Sequence, residues 1–178
     1  MTSPSSRKTS RFFAAAMLLT LLPAVLAGQN PAPAPSQLLP PPGTKLILHA
    51  KGKGDQVYTC KENNAQYAWT LTEPQAELFD ESGKQIGHHF AGPAWQLNDK
   101  SKVTGKVVAR ADSPSPNAIP WFLLAAVDHS GSGMLEHVTD IQRLNTVGGK
   151  APDAGCDAAH VNAESRVPYS ADYYFFTR

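Results

Sequence analysis

The chain has 178 residues, of which 42% are hydrophobic and 17% are charged, a balance that excludes a disordered chain and is typical of one globular domain. The 16 Lys and Arg residues are nearly matched by 15 Asp and Glu residues. No basic face built for nucleic acid or anionic lipid is evident, so we expect no nucleic-acid partner.

Residues 1–27 have the pattern of a secretory signal peptide. Basic residues precede an apolar stretch at 12–26, and the small residues at its end predict cleavage after Ala27. The stretch is shorter than the roughly 20 residues that cross a bilayer, and it contains Pro23, which favours cleavage over an uncleaved anchor. We therefore expect an exported protein, periplasmic or extracellular, without a transmembrane anchor after cleavage.

A proline-rich segment follows at 28–43. Proline removes backbone donors and favours extended neighbours, so we expect a stiff linker or a poorly ordered arm. Residues 44–178 are then expected to form a single β domain.

From residue 44 onward, short runs of β-branched and aromatic residues alternate with polar turns. This pattern predicts an all-β fold of about nine short strands, arranged as a single antiparallel β-sandwich or barrel-like domain. At most one short helix is expected, within residues 156–164, and residues 51–55 are expected to form a loop. The pattern marks ten candidate segments from which these strands are drawn, namely 44–50, 56–60, 66–71, 76–79, 84–90, 94–97, 102–110, 118–127, 134–145 and 167–177.

The most continuous apolar stretch of the domain is 118–127, and we expect it to lie in the core. Periodicity cannot separate a buried strand from a buried helix, but the short length and the Trp, Phe and Val content favour a strand. Pro120 indicates a strand start or an edge position.

Cys60 and Cys156 are the two cysteines of the chain. In an oxidising compartment such a pair is expected to form one intramolecular disulfide. The alternatives are two free thiols or an intermolecular pair. Closing a loop of about 100 residues would stabilise the fold by about 4–5 kcal/mol in the chain-entropy model.

No complete catalytic or cofactor-binding motif is present. Residues 131–133 lack the flanks of a nucleophile elbow, residues 148–150 lack the rest of a P-loop, and no dinucleotide fingerprint occurs. His88 and His89 are adjacent, so on a strand they point to opposite faces and cannot share one ion. We therefore expect neither a metal site nor a cofactor.

The aromatic residues could line a hydrophobic or sugar-binding cleft, although burial in the core of a β domain is the simpler explanation. Arg143 lies on a largely apolar strand and needs a partner if it is buried, for which Asp172 or Asp140 is expected. The candidate ligand-binding residues are His89, Trp95, Trp121 and Arg143.

Six blocks of the sequence recur in the same order in one protein family. They are 56–60 (QVYTC), 87–95 (GHHFAGPAW), 118–121 (AIPW), 138–152 (VTDIQRLNTVGGKAP), 155–157 (GCD) and 166–175 (RVPYSADYYF). In these blocks the chain resembles the secreted bacterial and fungal family known as domain of unknown function 3455. By this resemblance His89, and not His88, belongs to a His-aromatic-Ala-Gly-Pro motif, and Ala94 stands where we associate Thr with the family.

The resemblance implies an exported domain with no assigned activity and no catalytic residues to carry over. We therefore favour a non-catalytic binding domain or envelope-associated domain, whose unknown partner could be a small molecule, a sugar or an envelope component. The alternative is a secreted hydrolase that uses His89 or His137 with a nearby carboxylate. Some fungal relatives are labelled malate dehydrogenases, but the missing dinucleotide fingerprint leads us to reject that activity here.

Overall fold

The computed structural model describes Met1 and residues 33–178, so the signal-peptide prediction and the first part of the predicted linker lie outside the described residues. Each strand pairs antiparallel with the next, and the last pairs with the first, which closes a β-barrel. The all-β prediction is confirmed, as a barrel of eight strands instead of about nine. The strands are β1 Lys45–Asn63, β2 Gln66–Phe79, β3 Gln85–Phe90, β4 Ala94–Leu97, β5 Lys102–Ala111, β6 Trp121–Ser130, β7 Asp140–Gly148 and β8 Glu164–Thr177.

The loop expected at 51–55 is wrong, because these residues lie inside β1 and pair with both β2 and β8. At Gly52 and Gly54 the strand leaves no room for a Cβ atom, and the chain does not turn there. A Cβ at Gly52 would lie 2.6 Å from the ring of Tyr173, and a Cβ at Gly54 would lie 2.1 Å from the carbonyl oxygen of Gln75. Glycine within a strand thus allows close packing of the barrel.

The two faces of β8 show how the barrel sorts its side chains. Tyr169, Ala171, Tyr173 and Phe175 belong to the cluster that fills the interior. Phe176, on the opposite face, belongs to a second buried cluster outside the barrel wall. This alternation with a period of two is what strand geometry requires.

The second cluster is buried because the amino-terminal segment covers it. Ser36–Leu38 form a 3₁₀ turn, the one helical element among the described residues, and Leu38 is fully buried in that cluster. The amide of Gln142 donates to the carbonyl oxygen of Leu38. This part of the predicted linker therefore packs on the barrel and does not form an exposed arm.

The apolar stretch 118–127 provides most of β6, in agreement with the strand prediction. Leu124 faces the interior cluster, whereas Trp121 and Leu123 face the outer cluster. Burial does not extend over the whole stretch, because the side chain of Val127 is exposed.

One end of the barrel is closed by the connection between β6 and β7. Residues 134–139 were expected in a strand but lie outside β7, with turns at 134–137, and Leu135 and Val138 are buried in the interior cluster. The carboxylate of Asp99 accepts hydrogen bonds from the backbone N–H of Met134 at 2.9 Å and from Ser101. These bonds attach the β6–β7 connection, which we call the Leu135 plug, to the β4–β5 turn. They also lower the pKa of Asp99.

The predicted disulfide is present and joins Cys60 of β1 to Cys156 in the connection between β7 and β8. The two Cα atoms are 5.3 Å apart, across 96 positions of sequence. At most one short helix was expected, and the described residues contain only the 3₁₀ turn Ser36–Leu38; bends and turns occupy residues 157–162, where that helix was placed. No helix among residues 33–178 is long and apolar enough to cross a membrane.

Candidate ligand-binding cavity

A cavity of about 270 Å³ lies at the end of the barrel opposite the Leu135 plug. The β3–β4 connection, residues 91–93, contributes to its wall, whereas the plug is attached to the β4–β5 turn. Consecutive connections of an antiparallel barrel lie at opposite ends, so the cavity and the plug are separated by the length of β4. The inner wall of the cavity includes Gln56, His89, Trp95, Phe122, Arg143 and Tyr173.

Strand register brings these side chains together. Arg143 of β7 lies directly opposite Phe122 of β6 and Tyr173 of β8. His89 of β3 lies directly opposite Trp95 of β4. Directly opposed residues share one face of a sheet, so each group points into the barrel as a unit.

His89 is held by stacking and by one hydrogen bond. Its ring is parallel to that of Trp95, with centroids 4.6 Å apart, and its Nδ1 donates to the carbonyl oxygen of Ala94 at 2.9 Å. Because Nδ1 carries the proton, Nε2 presents a lone pair. The pKa of His89 is lowered to about 3, chiefly by burial and also by the charge of Arg143, against the opposing hydrogen bond to Ala94. The imidazole is therefore neutral at pH 7.

His88 and His89 point to opposite faces, as the sequence predicts for adjacent strand residues: His88 is exposed and His89 is buried. Among residues 33–178, no group of three or more His, Cys, Asp or Glu side chains is placed to hold a metal ion.

Arg143 is a buried cation that is only 9% exposed. Its Nε and Nη2 both donate to the carbonyl oxygen of Pro120, at 3.2 and 2.8 Å, and its guanidinium carbon lies 4.1 Å from the centre of the Phe122 ring. Burial lowers the pKa of Arg143, whereas the hydroxyl groups of Tyr173 and Tyr169 raise it. Arginine remains charged in such surroundings.

The partner predicted for Arg143 is wrong. Asp172 instead accepts from Asn145 at 2.7 Å and lies 3.2 Å from the ring of His49, while Asp140 accepts from the hydroxyl group of Thr139. Strand parity explains the error. Asp140 is an odd number of residues from Arg143, and Asp172 is adjacent to inward-facing Tyr173, so both carboxylates lie on the outer face.

Trp121 does not join the other three candidate residues. His89, Trp95 and Arg143 line the cavity, but Trp121 packs on the outer face beneath Leu38. The sequence could not place Trp121, because both faces of β6 are apolar and buried near its start.

Residues that sequence reasoning missed form the rim and part of the wall. Leu71 and Val107 are apolar rim residues with exposed fractions of 50% and 41%. Glu73 is a half-buried carboxylate at the same rim and accepts a hydrogen bond from the Gln75 amide at 2.6 Å. Nothing in the local sequence of Gln56 sets it apart, although its side chain is buried at the wall.

The hydrolase hypothesis finds little geometric support in the described residues. No carboxylate lies within hydrogen-bonding distance of the ring of His89, which binds a backbone carbonyl instead. His137 is exposed and belongs to the connection that closes the opposite end of the barrel. The two histidines therefore cannot act on one substrate, and neither forms a base–carboxylate pair.

Comparison with known families agrees with the resemblance in the sequence. The profile of a family described as "Protein of unknown function (DUF3455)" matches residues 40–177, which include all eight strands. No curated protein matches the chain, and no solved structure matches it.

Proposed function

Since the chain belongs to the DUF3455 family, whose description assigns no activity, we propose a function from the cavity itself. The domain is a non-catalytic binding module that takes a small, largely apolar molecule into the open end of its barrel. The observation that carries this proposal is the cavity of about 270 Å³, lined by aromatic and aliphatic side chains and bordered by exposed apolar residues.

Barrel size supports a ligand-holding role. Eight-stranded barrels have an interior that side chains can fill or that can hold one small ligand. Here Leu135, Val138 and Phe175 belong to the packed interior, whereas the space beside Trp95 and Phe122 is left open. The volume lies near the lower limit of about 300–1,000 Å³ that is typical of ligand sites, so the ligand is small.

Export is part of this proposal. The basic and apolar pattern of residues 1–27 supports a signal peptide, and the Cys60–Cys156 disulfide is compatible with an oxidising compartment. The working location is therefore the periplasm or the extracellular space. Amino-terminal sequencing of the exported protein should begin at Gly28, and retention of residues 1–27 would contradict export with cleavage.

The binding proposal is tested with N-phenyl-1-naphthylamine, a neutral probe whose fluorescence rises in apolar surroundings. A titration should show saturable binding to one site per chain. Val107→Trp should weaken binding by about tenfold or more, because the larger side chain at the exposed rim blocks the opening.

Val108→Trp is the matched control. Val108 neighbours Val107 on β5 and is 57% exposed, but it does not line the cavity. Its substitution should leave probe binding unchanged. Absence of saturable binding, or equal binding by the two variants, would contradict the proposed function.

A further inference from the structure

We propose that the ligand of this cavity is a small organic anion, a carboxylate carried on an apolar body, and that Arg143 binds its charged group. This inference rests on the proposed binding function and names its ligand class. Its basis is a buried cation that faces an apolar cavity without a negatively charged partner.

Arg143 is held by a neutral hydrogen-bond acceptor. The two hydrogen bonds to Pro120 go to one neutral carbonyl oxygen, so they orient the guanidinium without neutralising it. No carboxylate among residues 33–178 forms an ion pair with Arg143. Buried charges in proteins are normally paired, because an unpaired charge loses its hydration without compensation.

The titratable groups around the guanidinium are neutral at the inner wall of the cavity. His89 is neutral, and burial raises the pKa of Tyr169 and of Tyr173, so both phenols keep their protons at pH 7. Glu73 is the one carboxylate in the cavity lining, and it lies at the rim on the amide of Gln75. The inner cavity therefore has a net positive charge.

The guanidinium and the apolar wall beside it together favour one shape of ligand. A planar guanidinium matches a carboxylate through paired hydrogen bonds, which makes a carboxylate a better partner than a neutral amide. Trp95, Phe122 and Leu124 offer apolar contacts next to that charge, and the apolar rim extends them towards solvent. An inorganic anion would leave these surfaces wet, whereas an apolar body attached to the carboxylate would cover them.

The test compares 3-phenylpropionate with 3-phenylpropanamide, which has the same shape but no charge, by calorimetric titration at pH 7.5. The carboxylate should bind more tightly by roughly tenfold to a hundredfold, the range expected for charge-assisted hydrogen bonds. Equal affinity of the two compounds would overturn the inference.

Arg143→Met should abolish the preference for the carboxylate while retaining the neutral naphthylamine probe. Arg143→Lys keeps the charge without the planar fork, so it should retain a weaker preference and remains informative if the Met variant does not fold. Arg110→Met is the matched control, because Arg110 is an exposed arginine outside the cavity. It should bind both compounds as the unmodified protein does.

The two proposals fail in different ways. If the naphthylamine probe does not bind, the cavity is not a ligand site and the proposed function fails. If the probe binds but Arg143→Met and Arg143→Lys keep the full preference for the carboxylate, only the assignment of the anion to Arg143 fails.

Discussion

His89 links the packing of the cavity wall to its electrostatics. The ring packs against both Trp95 and Tyr173, with centroid distances of 4.6 and 5.1 Å, and is only 2% exposed. A protonated imidazole there would have to lose its hydration close to the charge of Arg143. The low pKa of His89 follows from those two costs, with burial the larger.

The pKa of His89 predicts a loss of stability in acid. Its folded-state pKa is about 3, against an ordinary value of 6.5, so unfolded chains take up a proton between these values and folded chains do not. The contribution of neutral His89 to the free energy of unfolding is therefore fully present above pH 6.5 and is lost as the pH falls towards 3. The free energy of unfolding falls by at most about 1.4 kcal/mol per pH unit in this range. Denaturant unfolding from pH 7.5 to 4.5 should show this slope relative to His89→Gln.

The comparison with His89→Gln removes the contribution of His49. The pKa of His49 is raised, chiefly by its hydrogen bond to Asp172, so its stabilisation is present below pH 6.5 and is lost as the pH rises through the folded-state pKa. This effect opposes that of His89 but is the same in both proteins. Parallel stability curves for the two proteins over this pH range would show that His89 is not held neutral.

At the scale of elements, the long strand β1 determines how closely the backbone of the barrel wall can approach the side chains that fill the interior. Gly52 faces the ring of Tyr173, which is fully buried and packed against His89 and Trp95. The ring therefore has little room to move away from an added side chain. A glycine that appears in the sequence as a turn residue is in fact a packing residue.

Gly52→Ala should destabilise the protein by about 1–3 kcal/mol, because its Cβ would lie 2.6 Å from the Tyr173 ring. The free energy of unfolding in urea measures the change. Lys51→Ala is the matched control, since Lys51 is the exposed neighbour on β1, and its effect should stay within about 0.5 kcal/mol. A Gly52→Ala protein as stable as the control would mean that the interior is loosely packed.

The sequence predicts some of these elements well and others poorly, for physical reasons. Strands β3, β4 and β5 lie within one residue of their predicted ranges because turn-forming residues, among them Gly, Pro, Asn, Asp and Ser, bound them on both sides. The prediction divided strand β1 into two strands and a loop, because glycine favours turns. Only the neighbouring strands show that Gly52 and Gly54 are needed where a Cβ would have no room.

The candidate site illustrates the same limit. His89, Trp95 and Arg143 were selected from residue type and meet in the cavity, but Trp121 does not. Which face of a strand lies inside depends on what covers the other face. At β6 the outer face is covered by Leu38. Leu38 belongs to a segment whose proline content predicts a linker or a poorly ordered arm, so the sequence does not indicate this contact.

At the scale of the whole molecule, the barrel is closed by the β1–β8 pairing and by the Cys60–Cys156 disulfide. The bond ties the end of β1 to the segment before β8, and 96 positions separate the two cysteines. A cross-link over so long a loop restricts the unfolded chain strongly.

Replacing both cysteines by alanine should lower the free energy of unfolding by about 2–5 kcal/mol, the usual cost of losing a native disulfide. Chemical denaturation of the oxidised unmodified protein and of the double variant measures the difference. Mass spectrometry of the unreduced protein should recover a peptide that links Cys60 to Cys156. Two alkylatable thiols in the exported protein, or equal stability of the double variant, would contradict this role.

The proposed function requires the open end of the barrel to hold a small molecule between its aromatic walls. A crystal structure of the protein grown with saturating N-phenyl-1-naphthylamine tests this most directly. We predict electron density for the aromatic rings between Trp95 and Phe122, inside the cavity of about 270 Å³. A cavity that the side chains of Trp95 and Phe122 fill by themselves, with the probe absent or bound only outside the barrel, would contradict the account.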